Sequence, residues 1–322
     1  MQLFVDGLAD QAERFDFPVE LILVEWNPPA ERPALVEALR WHVTDNFRPR
    51  VITVPPEVHH TFPHADRLPL FQMIGKNAGI RRSQAPYVLA TNIDILLSDE
   101  LFEFLKAGLK PNALYRVDRH DVVAELGGPR LPSPAECRAL PVLRQHRLDG
   151  MHYPQGRPPA TRREQRLEPL AVKPAINELS RLTLAAWDRV RLPKLHTLAC
   201  GDFTLTSREV WSALHGYPEW PEYSWHLDGV PLYQAFAAGV EMINLPPPMV
   251  AFHLEHGEGS GWTPESERLF DRLDAAGIPY LGTREYRKMA RKLVHGPRGF
   301  HPVNGDDWGL AAMDFAEQHP RG

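Results

Sequence analysis

The chain has 322 residues, with 36 Lys plus Arg against 41 Asp plus Glu and a formal net charge of −5. That length can bury a substantial core, and the charge balance argues against a global basic field for nucleic acid or an anionic membrane. Cys137 and Cys200 are the only cysteines and form no CxxC pair, which sets aside thiolate zinc sites and a disulfide framework and fits a reducing compartment. The first twenty residues carry acids throughout, and no run of about 18 apolar residues occurs. Neither a signal peptide nor a transmembrane helix is expected. Proline, with 32 copies, is about twice its ordinary ~5% share, which predicts many rigid loops and helix starts.

Apolar spacing predicts a helix over 2–15, then a strand over 19–26, where VELILVEW is nearly continuous in the manner of a strand covered on both faces. A second helix is expected over 34–43, a second strand over 50–55 and a third helix over 70–84. APYVLATNIDIL (85–96) reads as a third strand, DELFEFLKAGL as a fourth helix and ALYRVDR (113–119) as a fourth strand. Strands alternating with helices imply an α/β fold with a parallel sheet, whose strands gather ligands at their carboxyl ends. Asn92 and Asp94 fall at such an end.

Residues 125–192 are rich in Pro and Arg with little periodicity. They read as a surface insertion, a lid or acceptor loop whose seven arginines between 138 and 166 could meet phosphates, or a linker. Regular structure returns at 198–220 with a strand, a turn and a helix capped by Thr206 or Ser207. A further helix is expected in SWHLDGVPLYQAFAAGV, and short strands in EMINLP and MVAFHLEH. Three helices are expected at 264–276, 283–294 and 305–317.

Four pieces stand in a particular order: KNAG (76–79) with APYVLA and NID (92–94); SREVWSALHGYPEW; HLDG (226–229); and HLEH (253–256). Together they resemble glycosyltransferases of the GT-A fold, most nearly the family 2 type, over residues 1 to about 260. The resemblance implies a Rossmann-like, mainly parallel sheet flanked by helices. Residues 1–120 would form the nucleotide-sugar-binding half and 196–260 the acceptor and catalytic half of a domain spanning 1–260. The insertion of 125–192 lies between them, and 261–322 form a helical carboxyl-terminal extension. It also implies transfer of a sugar from a nucleotide diphosphate to a glycan or lipid-linked acceptor. Mg²⁺ or Mn²⁺, a hard ion that takes oxygen ligands, would neutralise the leaving charge.

On that resemblance Asp94, Asn92, His256 and His253 are the metal set, and Lys76, Asn77, Arg81, Asn92 and Asp94 hold the donor. Asp228 is the base, with the helix N-cap as its plain alternative. Asp202 binds sugar hydroxyls or is an ordinary turn residue. Trp225 or Trp262 offers an aromatic platform, although aromatics are core residues first. Three departures stand out. Asn92 replaces an acid, Leu227 replaces a Glu, and the chain opens on the helix that in the family follows a first strand: the start is truncated or misplaced, another element replaces that strand, or a sheet edge is left unpaired. These departures support a second reading, a non-catalytic glycan-binding or scaffold domain. A nucleotidyltransferase, which would need a Gly-rich phosphate loop, ranks lower. The expected setting is the cytoplasm, with peripheral contact at the inner face of a membrane left open and no nucleic-acid partner.

Overall fold

The computed structural model describes residues 1–125, 131–156, 192–255, 267–296 and 300–321. The first half follows the apolar pattern closely. Helix α1 (Gln2–Arg14) buries Phe4, Val5, Ala9 and Ala12 against strand β1 (Val19–Trp26) and strand β2 (Phe47–Val54), which pair in parallel. Between them the expected second helix shrinks to one turn, α2 (Leu35–Ala38). After a short turn α3 (Pro56–His59), helix α4 (Gln72–Arg82) packs on β1 through Gly79, where an added Cβ would lie 3.2 Å from Val24.

The predicted third strand ends earlier than its apolar run. Strand β3 (Tyr87–Thr91) stops before Asn92, a turn carries Ile93 and Asp94, and strand β4 (Ile95–Leu97) begins anew in another sheet. Helix α5 (Asp99–Ala107) starts where Ser98 and Asp99 stand, although the Ser98 hydroxyl accepts the Val250 amide instead of capping. The fourth strand also divides, into β5 (Ala113–Arg116) and β6 (Asp118–Val122), which join different sheets. Part of the insertion is regular: helix α6 (Pro134–Arg138) is closed by a Ser133–Glu136 capping box, and strands β7 (Val142–Arg147) and β8 (Gly150–His152) form a hairpin on β6.

In the second half come strand β9 (Phe203–Ser207) and helix α7 (Arg208–Leu214), capped by Ser207. A 3₁₀ turn (Leu227–Gly229) leads into helix α8 (Val230–Ala237), followed by strands β10 (Glu241–Asn244) and β11 (Val250–Leu254). Helix α9 (Glu267–Ala276) and helix α10 (Thr283–His295) follow. The expected helix over 305–317 is absent: Gly309 and Leu310 take positive φ values of 66° and 55°, which break it, and Ala316–Gln318 instead form strand β12, antiparallel to β2.

The sheet arrangement corrects the expectation of one mainly parallel sheet. Three sheets form among the described residues, ordered β1-β2-β12, β10-β5-β9-β3 and β4-β11-β6-β7-β8. Among the described strands, only β1–β2, β5–β10 and β6–β11 pair in parallel. The alternation of helix and strand was read correctly, but β9 inserts antiparallel between β3 and β5, and the hairpin adds further antiparallel pairs. The protein is thus a mixed α/β fold with helices flanking mixed sheets. Among the described residues, β1 and β3 each have one edge without a strand neighbour. The carboxyl-terminal helices are built into the body, since Tyr286, Ala290 and Trp308 share a buried cluster with Trp211, Tyr217, Leu227 and Val230.

Candidate functional site

The Asn92–Asp94 turn, the loop before β9 and the 3₁₀ turn meet at the carboxyl end of β3. Thr91 pairs with Phe203 across the β3–β9 ladder, which sets Asp202 beside Asn92. The Asn92 amide donates to the Asp202 carboxylate at 2.6 Å, and its oxygen accepts from Gln72 at 2.9 Å. Lys76 reaches across to donate to the Gly201 carbonyl at 2.5 Å, while the Gly201 amide donates to Asp228 at 2.8 Å. One short turn therefore ties Lys76, Asp202 and Asp228 together. Helix α8 is capped by Gly229 with no side-chain bond, so Asp228 is not its N-cap.

Charge at this rim is poised. Burial raises the Asp228 pKa, opposed by the Gly201 amide, the Lys76 charge and the Cys200 thiol. Burial likewise lowers the Lys76 pKa, opposed by Asp202, Asp228 and Asp94. Lys76, Asn92, Asp94 and Asp228 are half-buried residues. Cys200 is fully buried, and burial pushes its thiol well above the usual range, so it is an inert partner here.

Behind the rim lies a row of charges of which His253, and Arg144 as one of the insertion's arginines, are the members that stand out in the sequence. Strand periodicity places Arg119 and Asp121 on one face of β6, Arg144 and His146 on the same face of β7, and His253 and Glu255 on that of β11 and the residue after it. Asp121, which is 0% exposed, meets Arg119 at 2.9 Å, Arg144 at 2.8 Å, His146 at 3.1 Å and His253 at 3.3 Å. Arg119 also holds Asp202 at 2.6 Å, and Arg144 holds Glu255. Burial alone would raise the Asp121 pKa, yet hydrogen bonds from His146 and His253 and the Arg119 charge hold it far below the carboxylate range. The signal was present as polar residues two apart in RVDRHDV, VLRQHR and FHLEH, which marks one polar sheet face.

His253 links row and rim, standing 3.4 Å from Asp94 and 3.3 Å from Asp121. Burial works against its charge, but the hydrogen bonds to Asp121 and Asp94 prevail and raise its pKa to about 9. Asp94 and His253 are ligand types that a hard divalent ion accepts, and such an ion commonly takes one or two protein groups plus substrate phosphates. Asp121, His253 and Glu255 also bring ligand atoms within 4.8 Å of one another. Arg119 and Arg144 already neutralise those two carboxylates, however, which leaves Asp94 and His253, among the described residues, as the ligand types at the rim that no guanidinium neutralises.

The remaining candidates divide. Lys76, Asn77 and Arg81 lie along α4 and not at its start. Asn77 is fully buried and bonds the Tyr217 backbone through both ends of its amide, and Arg81 lies over Trp308 and donates to the Asp306 and Trp308 carbonyls. Neither faces the acids, which corrects their grouping with Lys76. Trp225 packs edge-on against Phe270, 5.2 Å between ring centres. His256 and Trp262 lie outside the described residues. Of the insertion's seven arginines, Arg138, Arg144 and Arg147 meet Asp99, Asp121 with Glu255, and Asp118. The other four lie outside the described residues. Fold and site define a mixed α/β protein with a cluster of acids and one lysine at a strand end. No protein-family model matches the sequence, and a search of curated proteins finds no match.

Proposed function

We propose that the chain is a GT-A-type glycosyltransferase that moves a sugar from a nucleotide-diphosphate donor to an acceptor hydroxyl of a glycan or lipid-linked glycan. The observation that supports this reading is the meeting of Asn92, Asp94, Asp202, Asp228 and Lys76 at one strand end. In an inverting transfer, Asp228 takes the acceptor proton while the acceptor oxygen bonds to the anomeric carbon and the bond to diphosphate breaks. General-base catalysis of this kind is worth about 10²–10⁴-fold, and a carboxylate with its pKa raised by burial is a better base than a solvated one. Lys76 offers a cation beside the acids, and Asn92, held between Gln72 and Asp202, orients the rim. A divalent ion held by Asp94 and His253 would supply charge neutralisation at the leaving diphosphate. His253 must lose its proton to serve as a ligand, so metal affinity should rise with pH toward about 9.

The test is release of nucleotide diphosphate from UDP- and GDP-sugars with Mn²⁺, in wild type and Asp228→Asn. Turnover lost in the variant supports the reading; a wild type that turns over no nucleotide sugar sinks it. The alternative, a non-catalytic glycan-binding domain, rests on Leu227, which is 1% exposed and belongs to the core, and on the neutral Asn92. Glycan binding without metal binding or turnover would select it.

A further inference from the structure

The outer face of α10 has no part in the site described above. With about 100° per residue, Arg284, Arg287, Lys288, Arg291, Lys292 and His295 fall within an arc of about 140°. All are exposed except the half-buried Arg291, and Arg284, Lys288 and Lys292 make no ion pair among the described residues. Glu285 is the single acid of the helix. The opposite face, with Tyr286 and Ala290 and the half-buried Met289 and Leu293, is spent on the core. A chain of net charge −5 thus concentrates five Lys and Arg on one 13-residue helix.

We propose that this face docks the protein on an anionic lipid bilayer. Charge complementarity requires an anionic partner. The shape is a straight row of cations on a helix about 20 Å long, which suits a flat sheet of headgroups. The row holds no Phe, Tyr or Trp on which bases could stack, so it lacks the stacking platform of a single-strand binder. Because the apolar face is buried in the protein, contact is electrostatic and superficial, unlike that of a helix that sinks its apolar side among acyl chains.

The inner face gives the contact a consequence. The Tyr286 ring stacks on His226 with centres 4.5 Å apart, and a Cβ on Gly229 would lie 2.2 Å from the Tyr286 hydroxyl. The helix that meets the bilayer is therefore the one that backs the turn carrying Asp228, and a lipid-borne acceptor would be presented close to it. Docking itself does not depend on sugar transfer.

The experiment is flotation of the full chain with vesicles of phosphatidylcholine alone, and of phosphatidylcholine with one-third phosphatidylglycerol. The chain should float only with the anionic vesicles and be released by ~0.5 M salt, where screening is short-ranged. Arg284→Gln, Lys288→Gln and Lys292→Gln combined should weaken binding about 100-fold, at about 1 kcal/mol per cation near the surface, with an unchanged circular dichroism spectrum. Equal flotation with both vesicle types, none with either, or undiminished binding by the folded triple variant would overturn the proposal. So would tighter binding to duplex DNA than to the anionic vesicles at the same salt.

Discussion

The polar face of the β4-β11-β6-β7-β8 sheet and the rim at the end of β3 both hold clustered charges, but they solve the cost of burial differently. In the sheet face each described carboxylate has its cation: Asp121 sits among two guanidinium groups and two imidazoles, and Glu255 pairs with Arg144. Those charges support one another, and His253 is the member that also reaches the rim, at Asp94. At the rim, Asp228 is held by a backbone amide and a thiol, and Lys76 by a carbonyl, so neither has a charged hydrogen-bond partner and both have shifted pKa values. Saturated charge builds the frame, and poised charge is available for chemistry.

That contrast can be broken most violently at Asp121. Asp121→Ala strips the shared partner from Arg119, Arg144, His146 and His253. It should cost about 3–5 kcal/mol of stability, as breaking a buried ion pair does, measured by denaturant unfolding; a loss under ~1 kcal/mol would show that the row is not a frame. Asp228→Asn should do the reverse. It should leave the unfolding midpoint where it is, or raise it, while slowing transfer about 10²–10⁴-fold.

Gly216→Ala probes the scaffold under the rim. Gly216 has φ 69°, and an added Cβ would lie 2.2 Å from the Asn77 amide oxygen, so a loss of at least about 1–2 kcal/mol is expected from the backbone alone. The smallest effect is a pH dependence. His253 has its pKa raised from 6.5 to about 9, so its contribution is full below about 6.5 and is lost as pH rises through about 9. Stability should therefore fall across that window, and fall less in Asp94→Asn, which removes one of its two acid partners. A flat profile in wild type would contradict the Asp94–His253–Asp121 arrangement.

Much of the frame could be read from residue pattern alone. VELILVEW gave β1 its observed limits because a continuous apolar run has few other uses, and Ser207 was a legible cap. β8 and β12, three residues each, were not legible: GMH and AEQ have no strand signature, and their pairing comes from β7 and β2. The parallel sheet was over-read because chain order cannot reveal that β9 inserts between β3 and β5. In the site, NID could be picked out because an acid at an apolar strand end is conspicuous, and HLDG because it resembles an acidic helix start. Arg119, Asp121 and His146 carry no such mark, since they sit at or just past a strand end or in the irregular insertion, and Arg144 stands out only as one of the insertion's arginines. Asn77 and Arg81 were grouped with Lys76 because sequence proximity hides that α4 turns them to other faces.

The central claim, that the rim receives a nucleotide diphosphate, is tested most directly by calorimetric titration of UDP- and GDP-sugars with Mn²⁺ into wild type, Asp94→Ala and Asp228→Asn. Binding should appear in wild type, vanish in Asp94→Ala and persist in Asp228→Asn, which keeps the donor site but loses the base. No binding by wild type, or equal binding by wild type and Asp94→Ala, would contradict it.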